Sequence, residues 1–109
     1  MGEISKIEVG DTCTRVLTVR CPRGLHARPA AMIVRIAGKY DSVELLIEKD
    51  GDLINGRSIM GVMMLAAGSG SKLKFVARGK DSERLLDELE ALFLSGFAGA
   101  EGELESAAK

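Results

Sequence analysis

The 109-residue sequence has no tryptophan, one tyrosine, one histidine, two cysteines and two prolines, and each scarcity removes a class of function. Tyr40, Phe75, Phe93 and Phe97 are its only aromatics, with no pair spaced along a strand, which argues against a stacking surface for nucleic acid. A formal net charge of −1 supplies no global field to attract a polyanion. Cys13 and Cys21 lack CxxC spacing, and a single histidine cannot complete a nitrogen and sulfur ligand set. No metal and no cofactor is therefore expected, and both cysteines read as reduced thiols. Charges interrupt every apolar run well before the roughly 20 residues needed to cross a bilayer, so no membrane insertion is expected. The first residues, Met1 to Asp11, carry acids and glycines rather than a signal-type apolar stretch, which makes the cytoplasm the expected compartment.

The chain that remains suits one domain. Residues 1–12 and 97–109 read as flexible tails rich in small and acidic residues, leaving a working domain over residues 13–96. Arg15 to Arg20 is a short β-prone run, broken by Pro22 and Gly24. From Ala27 to Lys39 the apolar positions Ala30, Ile33, Val34 and Ala37 recur at helical spacing, and Pro29 sits in the first turn, where its missing N–H costs nothing. Val43, Leu45 and Ile47 alternate with charges, and Lys49-Asp50-Gly51-Asp52 predicts a hairpin returning through Leu53 and Ile54. Ser58 is a good N-cap for a short helix through Val62 and Leu65, ending near Gly68 and Gly70. Lys72 to Arg78 alternates as a strand, and Asp81 can cap a last helix whose stripe is Leu85, Leu86, Leu89, Leu92 and Phe93. The predicted order is βαββαβα, an α/β (α+β) two-layer sandwich with an open sheet.

Between Thr12 and Tyr40 the charged residues up to Lys39 are all basic: Arg15, Arg20, Arg23, Arg28, Arg35 and Lys39. The segment from Asp81 onward is mostly acidic, so one end of the molecule is suited to an anion or an acidic protein surface. His26 stands in the basic region, within Gly24-Leu25-His26-Ala27-Arg28-Pro29-Ala30, where a loop becomes a helix. A lone histidine is ordinarily a surface or hydrogen-bonded core residue. Its setting here changes that reading. The N–H groups of Ala27 and Arg28, with the positive end of the helix dipole, form a site for phosphate, and the same field favours a neutral, nucleophilic imidazole. Arg28 offers a charge-assisted fork for phosphoryl oxygens.

That seven-residue segment resembles the phosphorylation site of HPr, the histidine-containing phosphocarrier family of the bacterial phosphoenolpyruvate:sugar phosphotransferase system. A second segment, Asn55-Gly56-Arg57-Ser58-Ile59-Met60-Gly61-Val62-Met63, resembles that family's regulatory serine region. The resemblance spans roughly residues 14–96. It implies an open-faced β-sandwich, a four-stranded antiparallel sheet covered on one face by three helices. It further implies that His26 is phosphorylated on Nδ1 by phosphorylated enzyme I, and that the group passes to sugar-specific permease components. The protein would act as a monomeric phosphoryl-transfer intermediate rather than as an independent enzyme.

On a helical wheel Arg28, Met32, Arg35 and Lys39 fall opposite the apolar stripe, as a basic face beside His26. By resemblance, Ala31, Met32, Arg35 and Lys39 from the first helix and Ile59, Met60 and Met63 from the second form the partner-docking surface. Ser58 has an ordinary role as an N-cap and, by resemblance, a regulatory one as the substrate of an HPr kinase/phosphorylase. Competing readings are a nitrogen-related phosphorelay paralogue using His26 identically, and an α/β module that binds an anion at His26 without chemistry. Ser58-Ile59-Met60-Gly61 favours the carbon-related branch, and the presence of His26 disfavours a serine-only regulatory relative.

Overall fold

A computed structural model describes residues 12–98, which form seven elements. They are β1 (Thr12–Thr18), α1 (Ala27–Gly38), β2 (Glu44–Lys49), β3 (Asp52–Asn55), α2 (Ile59–Met64), β4 (Lys72–Arg78) and α3 (Ser82–Leu94). The order is the expected βαββαβα. The sheet runs β1-β4-β2-β3 with every neighbouring pair antiparallel, so the connection through α1 crosses β4 to join the mutually parallel β1 and β2, and the one through α2 crosses β2 to join the mutually parallel β3 and β4.

Alternation along the strands creates the two faces. Leu17, Leu45, Ile47, Leu73, Phe75 and Ala77 point into the core, while Val16, Lys72, Lys74, Glu44 and Arg78 stay exposed. The helices close the inner face with Ala30, Ile33 and Ala37 from α1, Val62 from α2, and Leu85, Leu86, Leu89 and Phe93 from α3. Asp50 and Gly51 make the two-residue turn between β2 and β3, both with positive φ, and Lys49 pairs with Asp52 across it.

Four expectations are corrected. β1 begins at Thr12, not Arg15, because Thr12 already pairs with Arg78. The Asp81 side chain makes no capping bond; in that turn the buried Ser82 hydroxyl donates to the Gly79 carbonyl at 2.7 Å. Phe97, assigned to the C-terminal tail, is fully buried and meets Phe93 edge-on at 4.8 Å between ring centres. Phe93 in turn meets Phe75 at 5.4 Å, so three of the four aromatics form one cluster under α3. Met32 is not fully on the solvent face of α1 but half-buried, packed against the core. The remainder of the two expected tails, residues 1–11 and 99–109, lies outside the described residues.

Candidate functional site

The loop from β1 to α1 is stapled to the segment after α2. Leu25 N–H donates to the Ala67 carbonyl at 2.9 Å, and Gly24 N–H donates to the Cys21 carbonyl at 3.0 Å. The fully buried Cys21 adds a thiol contact to the Gly24 carbonyl at 3.1 Å, and both cysteines are free thiols. Only glycine fits at position 24: its φ is +74°, and a Cβ there would lie 2.5 Å from the Ala67 carbonyl oxygen. This short, tied loop delivers His26 to the head of α1.

His26 is the N-cap residue, in extended conformation with φ −83° and ψ −166°. Its carbonyl accepts the first intrahelical bond, from Ala30 at 3.0 Å, so the N–H groups of Ala27 and Arg28 stand ahead of the helical ladder. Its side chain makes no capping bond. The ring is half-buried, and Nε2 is closed to solvent with no hydrogen-bond partner. Attack through Nε2 would require the ring to turn. The same side chain lines a shallow depression of about 230 Å³, together with Arg23, Leu25, Ala66, Ala67 and Gly68. Arg28, at the second helical position, is half-buried.

The basic residues do not act as one patch. Arg15 is drawn to α3, where it meets Asp87 at 2.7 Å and Glu90 at 2.9 Å. Lys39 pairs with Glu88 at 2.9 Å, and the Tyr40 hydroxyl donates to the same carboxylate at 2.8 Å. Those two hydrogen bonds hold the Glu88 carboxyl below its ordinary range, and the bond to Glu88 raises the Tyr40 phenol. Arg15 thus falls outside any face beside His26, and Lys39 is tied to α3. Arg35 is exposed and Ala31 half-exposed on α1.

The short helix α2 presents an apolar surface. Met60 is 73% exposed and Met64 77%, with Ile59 and Met63 also exposed. Met64 was missed in the sequence reading because it falls between the family-like segment and the core residue Leu65. Ser58 caps this helix as expected, its hydroxyl accepting from Gly61 N–H at 2.9 Å. Just before it, Arg57 donates to the carbonyls of Tyr40 and Val43, pinning the loop between α1 and β2 to the start of α2. Periodicity carries no signal for that role, since it depends on a contact between distant segments.

A tied loop thus sets one imidazole at a helix start, on an open-faced α/β sandwich. Residues 13–95 match the family model described as the PTS HPr component phosphorylation site, and the chain belongs to the HPr phosphocarrier family. The chain is 46% identical over 74 residues to phosphocarrier protein HPr of Treponema pallidum, covering 68% of this chain and 83% of that one. It also resembles the crystal structure of HPr-C-His from Thermoanaerobacter tengcongensis, with a TM-score of 0.75 and 37% identity over 79% of this chain and 96% of that one. Crh of Bacillus subtilis, a catabolite repression protein whose crystal structure is described as a dimer with a swapped domain, matches with a TM-score of 0.62 and 38% identity. That match covers 72% of this chain and 88% of Crh. Among the described residues no helix is long and apolar enough to cross a membrane.

Proposed function

We propose that this protein carries a phosphoryl group on Nδ1 of His26, receiving it from phosphorylated enzyme I and passing it to sugar-specific permease components in the cytoplasm. The observation that carries this reading is the setting of the imidazole, fixed by the Leu25–Ala67 staple at the head of α1 with Nε2 enclosed. Enclosure of one ring nitrogen leaves Nδ1 as the nucleophile. Its lone pair attacks phosphorus, an Nδ1–P bond forms as the donor's bond to phosphorus breaks, and Nε2 keeps its proton. The N–H groups of Ala27 and Arg28 and the Arg28 guanidinium stabilise the oxygens, in the transition state and in the product.

Partners dock on Ala31, Met32 and Arg35 of α1 and on the exposed Ile59, Met60 and Met63 of α2, with Met64 extending the apolar part. An exposed methionine surface is adaptable, which suits a carrier that must meet several proteins in turn. Phosphorylation of Ser58 by an HPr kinase/phosphorylase would add about −1.5 to −2 charges to that surface and slow docking. Met60→Ala should leave stability within about 0.5 kcal/mol of wild type, because the side chain is mostly exposed, while lowering the rate of transfer from enzyme I.

The reading is tested by incubating the protein with labelled phosphoenolpyruvate and enzyme I. Acid-labile label in the wild type and none in His26→Ala supports it. Absence of label with a competent enzyme I refutes it. A second reading, a regulatory paralogue acting as Crh does, is favoured by the likeness to that protein. In that case Ser58 would be phosphorylated while His26 stayed unlabelled. We propose a monomer in solution; a light-scattering mass of twice the chain would instead align this protein with the dimeric Crh.

A further inference from the structure

Resting on the phosphocarrier reading, we propose that Arg23 is a second phosphoryl-binding side chain of the His26 site, acting from the loop while Arg28 acts from the helix. Arg23 and His26 line the same depression, whose remaining walls are Leu25, Ala66, Ala67 and Gly68. Arg23 is the only charged side chain in that lining, and no carboxylate in it competes for the guanidinium. Arg28 does not line it.

Several of the described cations are already engaged. Arg15, Lys39, Lys49 and Arg78 each face a carboxylate, and Arg57 donates to two carbonyls. Among the described residues Arg23 has neither a hydrogen bond nor an ion pair. Its backbone is nonetheless held close to the imidazole, because the next two residues are tied by Gly24 N–H to Cys21 and Leu25 N–H to Ala67. A guanidinium fixed at its root and unengaged at its tip has little to give up on meeting a new anion. The phosphohistidine is such an anion, with up to two negative charges and three acceptor oxygens. It forms at the edge of this depression.

The test uses the isolated phosphorylated protein, so that docking cannot confuse the result. Wild type, Arg23→Gln and Arg23→Lys are each phosphorylated with phosphoenolpyruvate and enzyme I, and the ³¹P resonance of the phosphohistidine is followed against pH. Loss of a neighbouring cation disfavours the doubly charged phosphoryl group, so its titration midpoint in Arg23→Gln should move up by about half a unit. Arg23→Lys should fall between the two, because a point charge replaces the fork only in part. The kcat/KM for transfer from enzyme I should fall about tenfold in Arg23→Gln. Since Arg23 is exposed and unpartnered, the thermal midpoints of the unphosphorylated variants should match wild type. An unmoved ³¹P midpoint overturns the assignment: with transfer also unchanged Arg23 is a solvated surface residue, and with transfer slowed it serves only docking. Failure of the wild type to accept label removes the phosphocarrier reading itself, and this inference with it.

Discussion

Replacing Gly24 by alanine should destabilise the protein more than the same change at Gly51, although both residues have positive φ, +74° and +90°. Left-handed backbone costs a residue with a Cβ about 1–2 kcal/mol, a term common to both positions. At Gly51 nothing lies within 4 Å of the added carbon, so that is the whole cost. At Gly24 the carbon would sit 2.5 Å from the Ala67 carbonyl oxygen and 2.9 Å from Gly68 Cα, both backbone atoms that cannot turn aside. Relief requires the two loops to part. The Leu25–Ala67 hydrogen bond is then lost, adding about 0.5–1.5 kcal/mol for a total of about 1.5–3.5 kcal/mol. For a domain of this size the middle of each range lowers the thermal midpoint by roughly 10–20 °C in Gly24→Ala and by roughly 6–12 °C in Gly51→Ala. Thermal denaturation followed by circular dichroism reads both. Equal losses in the two variants would refute the claim that backbone contact at Ala67 fixes the His26 loop. At temperatures where Gly24→Ala is still folded, its phosphoryl transfer should also be slowed, because the imidazole follows the loop.

Other predictions come from the same contacts. Ser58→Ala removes the acceptor for Gly61 N–H and should cost about 1 kcal/mol in urea denaturation, whereas Ser58→Asp should retain the cap while placing a negative charge in the docking surface. Equal transfer rates for Ser58→Asp and wild type would argue against charge repulsion as the means of regulation. Glu88 titrates below the ordinary glutamate range in the fold because Lys39 and Tyr40 donate to it, so its stabilising contribution is present above that range and is lost as pH falls through the lower, folded value. Glu88→Gln should therefore be less stable than wild type at neutral pH, with the difference closing in acid; a constant difference across the titration would contradict this. Tyr40 works in the opposite sense. Its raised phenol favours the fold below the ordinary tyrosine range and loses that contribution as pH rises through its folded value, so the advantage of wild type over Tyr40→Phe should shrink in alkali.

The elements that were legible in the sequence are those with strong local causes. The β2–β3 turn follows from Asp50-Gly51, the only two residues between paired strands, and α1 follows from Pro29 and the spacing of Ala30, Ile33 and Ala37. His26 and Ser58 could be found because each sits where a loop becomes a helix, a boundary with its own residue preferences. What escaped depends on contacts between distant segments. Arg15 looked like part of a basic segment and Lys39 like part of the basic face beside His26, but Asp87, Glu90 and Glu88 on α3 claim them across separations of 49 to 75 residues. Phe97 follows a glycine and sits among small residues, so composition marked it as tail, and only the Phe93 ring shows that it completes the core. Met32 lies opposite the apolar stripe on the helix wheel, and only its packing against the core shows that it is half-buried. The staple from Leu25 to Ala67 spans two loops with no shared periodicity.

Which ring nitrogen of His26 takes the phosphoryl group is the most direct test of the proposed function. Long-range ¹H–¹⁵N correlation spectra of the ¹⁵N-labelled, phosphorylated protein distinguish the two imidazole nitrogens of His26. Phosphorus on Nδ1, with Nε2 keeping its hydrogen, is the result that the enclosed Nε2 requires. Phosphorus on Nε2, or imidazole signals that do not change on incubation with the donor, would contradict it.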